Sequence, residues 1–192
     1  QNIKRHLPQG KCAQNLSEVM EKSKSLLENH TINHVRLDLK ENPANMIWLW
    51  GQGTKPNLPS FEDKFGVKGS VISAVDLVNG MGRLMGLRVI RVPGATGYYD
   101  TDYAAKARYA LESLEERDFV FIHIEATDEA GHNGHLREKI LAIERLDQLV
   151  VGPVIEHFKR TKVPRRILVM PDHATVVSLR THVDDPVCFL IS

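Results

Sequence analysis

From residue 59 onward the chain alternates short apolar runs with helix-period patterns, and this alternation restricts the fold more than any other feature. The apolar runs fall at 69–74, 87–92, 118–124, 166–170 and 187–191, each of strand length. Helical spacing fills the intervals near 76–85, 102–116 and 135–160. Strand, crossover helix and strand repeat in this order when the strands lie parallel in one sheet and the helices cover it. The expected class is therefore α/β, a mainly parallel sheet flanked by helices, with right-handed crossovers. Residues 59–192 form that domain.

Residues 1–58 have a different texture. Leu16, Val19, Met20, Ser23, Leu26 and Leu27 mark one amphipathic helix, with Asn15 as its expected N-cap and Glu18 three residues on. One such helix cannot enclose a core, and the stretch from Pro56 to Pro59 reads as a linker.

With 42% hydrophobic and 26% charged residues among 192, the chain has material for one substantial core. The formal net charge is +1 and the basic residues are interspersed with acidic ones, so nothing marks a nucleic-acid or acidic-membrane partner. No apolar run approaches the roughly 18 residues needed to cross a bilayer. The first 30 residues lack a signal-peptide core, and a cytoplasmic location is the expectation. Cys12 and Cys188 show no metal-binding spacing, and Cys188 in its apolar run is expected to be buried.

In parallel sheets functional groups gather beyond the carboxyl ends of strands, where loops vary on a rigid support. Asp128 and His132 follow the run ending at Ile124, and Asp172 and His173 follow the run ending at Met170. His182 precedes the last run and should arrive on the loop from Ala174 to Asp185. Gly131 is expected to give a tight turn ahead of the helix at 135–160. These are metal-ligand types, and two cations held close together clamp the attacking and leaving oxygens of a phosphoryl transfer. Adjacent Asp172 and His173 should point in different directions, which suits two neighbouring cations. The Asp-x-x-x-His spacing by itself is weak, since such an Asp also serves helix starts. His123, inside its apolar run, reads as a strand histidine satisfied by neighbours. A two-metal centre also needs a nucleophile and a further carboxylate, and neither has a convincing candidate in these residues.

Asp128-Glu129-Ala130-Gly131-His132, Pro171-Asp172-His173-Ala174-Thr175 and Thr181-His182-Val183-Asp184-Asp185-Pro186-Val187 resemble the metal-binding motifs of the cofactor-independent phosphoglycerate mutases, in the archaeal-type branch of the alkaline phosphatase superfamily. The likeness extends to residues 43–53 and 92–97. It implies an alkaline-phosphatase-like domain interrupted by an inserted substrate-binding domain. Residues 1–58 would be the tail of that insert plus a linker, and residues 59–192 the C-terminal part of the metal-binding domain. It implies two divalent cations (manganese, magnesium or zinc), one on Asp128, His132 and His182 and the other on Asp172 and His173. It also implies a serine that is transiently phosphorylated. That serine and the first metal aspartate lie in an N-terminal segment without a counterpart here, so the catalytic nucleophile is absent from this chain. Arg36 would belong to the basic set that holds the substrate. Val176 and Cys188 stand where the family pattern has prolines.

The implied activity is interconversion of 2- and 3-phosphoglycerate by a longer parent, with this chain inactive alone. The implied partners are a phosphorylated small molecule and the missing N-terminal segment. A phosphohydrolase or another phosphomutase would use the same ligands, distinguished by whether inorganic phosphate is released. A catalytically incomplete metal-binding fragment is the remaining alternative.

Overall fold

The computed structural model describes residues 3–192. The chain divides into two compact units, Gln1–Lys55 and Pro56–Ser192.

The first unit holds a 3-10 turn (Ile3–His6) and two helices, α1 (Ala13–Glu28) and α2 (Thr31–Asp38). Helix α1 starts earlier than the Asn15 cap implied: Cys12 occupies the N-cap position and makes no side-chain capping bond, so Asn15 lies within the first turn. Helix α2 was hidden in a polar stretch. Its N-cap is His30, whose ring accepts the Ile32 amide at 3.2 Å. Buried Asn33 ties the unit together, because its amide donates to Leu27 O at 2.6 Å and Ala44 O at 2.7 Å while its oxygen accepts from Ala44 N at 2.9 Å. Three of the four hydrogen bonds open to that side chain are made, as burial of an amide requires.

The second unit contains α3 (Phe61–Phe65), β1 (Gly69–Ile72), α4 (Asp76–Leu84), β2 (Arg88–Ile90), α5 (Tyr103–Leu114) and β3 (Phe119–Ile122). Strand β1 is central, paired in parallel with β2 on one side and β3 on the other. Every β1 residue is buried, which explains the lack of an apolar–polar alternation with exposed positions, and its one polar side chain, Ser70, accepts from the Ser113 hydroxyl at 2.7 Å. The chain steps from β1 to β2 and then crosses back beyond β1 to β3. In such a sheet the carboxyl ends of the strands flanking the reversal are where groups converge. Two clusters of small and branched side chains pack here, one around Ile72, Val92, Ala105 and Ala110, the other around Tyr103, Ala107, Ala126, Ala142 and Val150. Gly82 on α4 is required by close packing: a Cβ there would stand 2.5 Å from Cγ1 of Val71.

After β3 the structure departs from expectation in three ways. A short helix, α6 (Ala126–His132), replaces the turn expected around Gly131. The long helix at 135–160 is three segments: α7 (Leu136–Leu146), a π turn (Asp147–Val151) and α8 (Gly152–Thr161). Pro153 lacks an amide hydrogen, so the ordinary ladder cannot continue through it, and the wider turn absorbs the break. The third departure is in the last two apolar runs. Strands β4 (Leu168–Val169) and β7 (Leu190–Ile191) form an antiparallel pair of their own rather than extending the parallel sheet. Parallel return needs a long crossover, usually helical. Here the connection is instead an antiparallel hairpin, β5 (Ala174–Val176) and β6 (Thr181–Val183). Cys188 is exposed, not buried.

Candidate metal centre

Helix α6 sorts its residues by face. Ala126 and Ala130 are fully buried against the core. Four residues apart as well, but rotated to the far side of the same helix, stand Asp128 and His132. Oδ2 of Asp128 lies 3.3 Å from Nε2 of His132. The spacing read as a loop motif is therefore an i, i+4 pair on a helix whose other face anchors it.

The third donor arrives on β6, not on a loop. Nε2 of His182 is 2.9 Å from Nε2 of His132 and 3.2 Å from Oδ1 of Asp128. Bonds of about 2.1 Å from a tetrahedral cation would put neighbouring donors about 3.4 Å apart. The two histidines approach different oxygens of Asp128, and with one ligand atom taken from each residue all three lie within 4.8 Å of one another; three protein donors with an open fourth position is the arrangement catalytic sites use. The donor set itself, two imidazoles and a carboxylate, suits zinc, manganese or another borderline divalent cation.

The ring orientation of His132 is fixed from behind. Its Nδ1 is 3.1 Å from the carbonyl of Arg180. A carbonyl only accepts, so the ring proton sits on Nδ1 and Nε2 presents its lone pair to the site. Arg180 occupies the left-handed region at φ 55°, at the end of the turn joining β5 to β6. Strained non-glycine backbone of this kind persists where the surroundings hold it, and here it aims a carbonyl at a candidate ligand.

His173 joins the group. Its ring centroid is 3.8 Å from that of His182, and its Nδ1 is 4.0 Å from Oδ1 of Asp128. Asp172 remains at the margin, its side chain 75% exposed. The two adjacent side chains do not diverge as expected: the Asp172 carboxylate accepts the His173 amide at 3.0 Å, and its Oδ2 lies 3.5 Å from His173 Nε2. That pair of donors alone is a weak chelate. Four of the five expected ligands thus lie together, with Asp172 reaching the group only through His173.

Arg36 sits in the first unit, at the last turn of α2, where its Nε donates to Asn42 O at 2.8 Å and its Nη1 lies 3.3 Å from Glu41. His123 follows β3 and is satisfied, by the Ser73 hydroxyl at 3.2 Å on Nδ1 and Glu125 at 3.3 Å on Nε2. The carbonyl of His123 accepts from Nζ of Lys106, a residue only 1% exposed. Burial lowers the proton affinity of that ammonium to about 8, against the opposing pull of Glu125.

Two residues of the centre are not of a metal-ligand type: Arg180, which acts through its backbone, and Thr175. The signal for Thr175 was present, since at a strand start residues two apart share a face and Thr175 lies two past His173.

Residues 11–192 match the family described as the Metalloenzyme superfamily. A 2,3-bisphosphoglycerate-independent phosphoglycerate mutase of Methanothrix thermoacetophila is 52% identical over 190 residues, 99% of this chain and 48% of that protein. A probable 2,3-bisphosphoglycerate-independent phosphoglycerate mutase of Geobacter sulfurreducens is 50% identical over 191 residues, 100% of this chain and 48% of that protein. Among solved structures, the PH0037 protein from Pyrococcus horikoshii superposes with a TM-score of 0.78 at 37% identity, covering 94% of this chain and 47% of that one. The chain spans about half the length of the curated relatives it matches.

Proposed function

We propose, on the premise that this chain belongs to the metalloenzyme superfamily and is homologous to the 2,3-bisphosphoglycerate-independent phosphoglycerate mutases, that it is the C-terminal, metal-binding part of a metal-dependent phosphoglycerate mutase. The observation that carries this reading is the close triangle of Asp128, His132 and His182, in a sequence half identical to those enzymes. Asp128, His132 and His182 would hold one divalent cation, and Asp172 with His173 part of a second site. Bound cations of this kind neutralise charge on phosphoryl oxygens and lower the pKa of an attacking hydroxyl.

The residues of this chain then divide the work. Asp128 brings negative charge to a site otherwise built from neutral rings, and the Arg180 carbonyl keeps His132 in the tautomer that can bind. Arg36 would pair with the phosphate or carboxylate of the substrate, a task its planar fork suits. The nucleophilic serine and one more aspartate would come from an N-terminal segment outside these 192 residues. That serine would take the phosphoryl group from one hydroxyl of the glycerate and return it to the other, giving 2- and 3-phosphoglycerate in equilibrium. Such a reaction belongs to glycolysis and to the cytoplasm. Among the described residues no helix is long and apolar enough to cross a membrane.

A coupled assay converting 3-phosphoglycerate to 2-phosphoglycerate tests the reading, run on the full-length protein, its His132→Ala variant and the 192-residue chain. The full-length protein should isomerise, and the other two should not. Isomerisation by the isolated chain would place the nucleophile inside it, with Ser70, Ser73 and Ser178 to examine. Release of inorganic phosphate without isomerisation would make the protein a phosphohydrolase instead.

A further inference from the structure

We propose that Thr175 is a positioning residue that joins the two halves of the metal centre, holding the Asp128 carboxylate and the His173 ring through a single hydroxyl; this rests on the metal-centre reading above. Oγ1 of Thr175 hydrogen-bonds Oδ1 of Asp128 and lies 3.2 Å from Nδ1 of His173. An ionised carboxylate can only accept, so the hydroxyl proton points at Asp128. The lone pairs of Oγ1 are then left for an Nδ1–H of His173. The ring proton of His173 is thereby placed on Nδ1, and Nε2 is left bare, facing Oδ2 of Asp172 at 3.5 Å.

The result is a directed chain, imidazole to hydroxyl to carboxylate, running from one half of the centre to the other. Thr175 is well placed to impose it. The residue is 5% exposed, so water does not compete for its hydroxyl. It pairs directly with His182 across the hairpin, which puts both side chains on one face. Its carbonyl accepts from Nζ of Lys139 at 2.5 Å, tying the strand to α7. From the other side α6 presses against it at Gly131, where a Cβ would meet the Thr175 carbonyl oxygen at 2.7 Å and Cγ2 at 2.8 Å. A β-branched side chain held on all these sides keeps one rotamer.

Hydrogen bonds behind metal ligands typically carry about 10–100-fold in affinity. The test compares Thr175→Val, which keeps the shape and loses the hydroxyl, with Thr175→Ser, which keeps the hydroxyl, in the full-length protein. Three quantities are read: Co2+ affinity by competition with a chromophoric chelator, the visible spectrum of the Co2+ form, and the tautomer of His173 in the metal-free protein by nitrogen-15 NMR. Thr175→Val should weaken Co2+ binding about 10–100-fold, alter the spectrum and release His173 from the Nδ1–H form, while Thr175→Ser stays near wild type in all three. Wild-type affinity and an unchanged His173 tautomer in Thr175→Val would overturn the proposal. So would damage in Thr175→Ser with Thr175→Val near wild type, which would assign the role to methyl packing against Gly131. A wild-type protein that takes up no Co2+ would overturn the metal-centre reading itself, and the tautomer comparison, which needs no metal, would still decide whether Thr175 sets the His173 ring.

Discussion

Nε2 of His132 and Nε2 of His182 face each other at 2.9 Å although 50 positions separate them in the chain. Two neutral imidazoles meet this way only with a proton or a cation between their lone pairs. Because Nδ1 of His132 is already committed to the Arg180 carbonyl, the lone pair that faces His182 belongs to His132. The arrangement predicts which substitutions matter.

Removing either ring should abolish the tight site. In calorimetric titration with zinc or manganese, His132→Ala and His182→Ala are expected to lose more than about 100-fold in affinity, beyond what loss of a supporting hydrogen bond costs. Asp172→Ala, altering an exposed carboxylate that reaches the triangle only through His173, should leave the tight site within about tenfold. Equal losses in all three would show that the two halves do not differ.

Gly131 and Gly80 should respond in opposite directions to alanine. A methyl at Gly131 meets backbone and side-chain atoms of Thr175 within 3.0 Å, whereas one at Gly80 on α4 meets nothing within 4 Å. Gly131→Ala is expected to cost about 1–3 kcal/mol by overpacking. Gly80→Ala should gain up to about 1 kcal/mol from helix propensity. Thermal or urea unfolding of both variants measures the contrast, and destabilisation by Gly80→Ala would contradict it.

Lys106 should make stability depend on alkaline pH. Its ammonium releases a proton at about 8 in the folded protein, against about 10.4 for an unfolded lysine. Between those values the unfolded chain binds more protons, so stability rises with pH there, by at most about 1.4 kcal/mol per pH unit. Urea unfolding of wild type and Lys106→Met from pH 7 to pH 10 isolates the effect. Wild type should gain on the variant by an amount on the order of 3 kcal/mol across the window. A constant difference would mean that Lys106 keeps its ordinary proton affinity when folded.

The local signals in the sequence were strongest where one period ran unbroken. The apolar runs that became β1, β2 and β3 and the helical stripes of α4 and α5 were legible because burial on one face or both imposes the pattern directly. Helix α6 was not, since a helix of 7 residues completes barely two turns and Gly131 argues against it locally. Only the close approach of Thr175 explains that glycine, and a contact 44 residues away leaves no local trace. The β4–β7 pair stands apart from the main sheet without a sequence sign of it, because two-residue strands have no period to read. Asp128, His132, His173 and His182 were legible as chemistry before they were legible as geometry. Their residue types announce ligands, while the helix and hairpin that carry them follow from packing.

The hairpin of β5 and β6 has strands of only 3 residues each, and a two-stranded ribbon that short is marginal in water by itself. Its station beside α6 depends on Lys139, Thr175, Arg180 and the facing rings. A cation bridging His132 and His182 would close a loop of some 50 residues, and its binding energy would count as folding energy for that loop. The hairpin then behaves as a clasp: with the cation stripped by a chelator, a protease should nick first between Val176 and Thr181, and replenishing the cation should protect the same bonds.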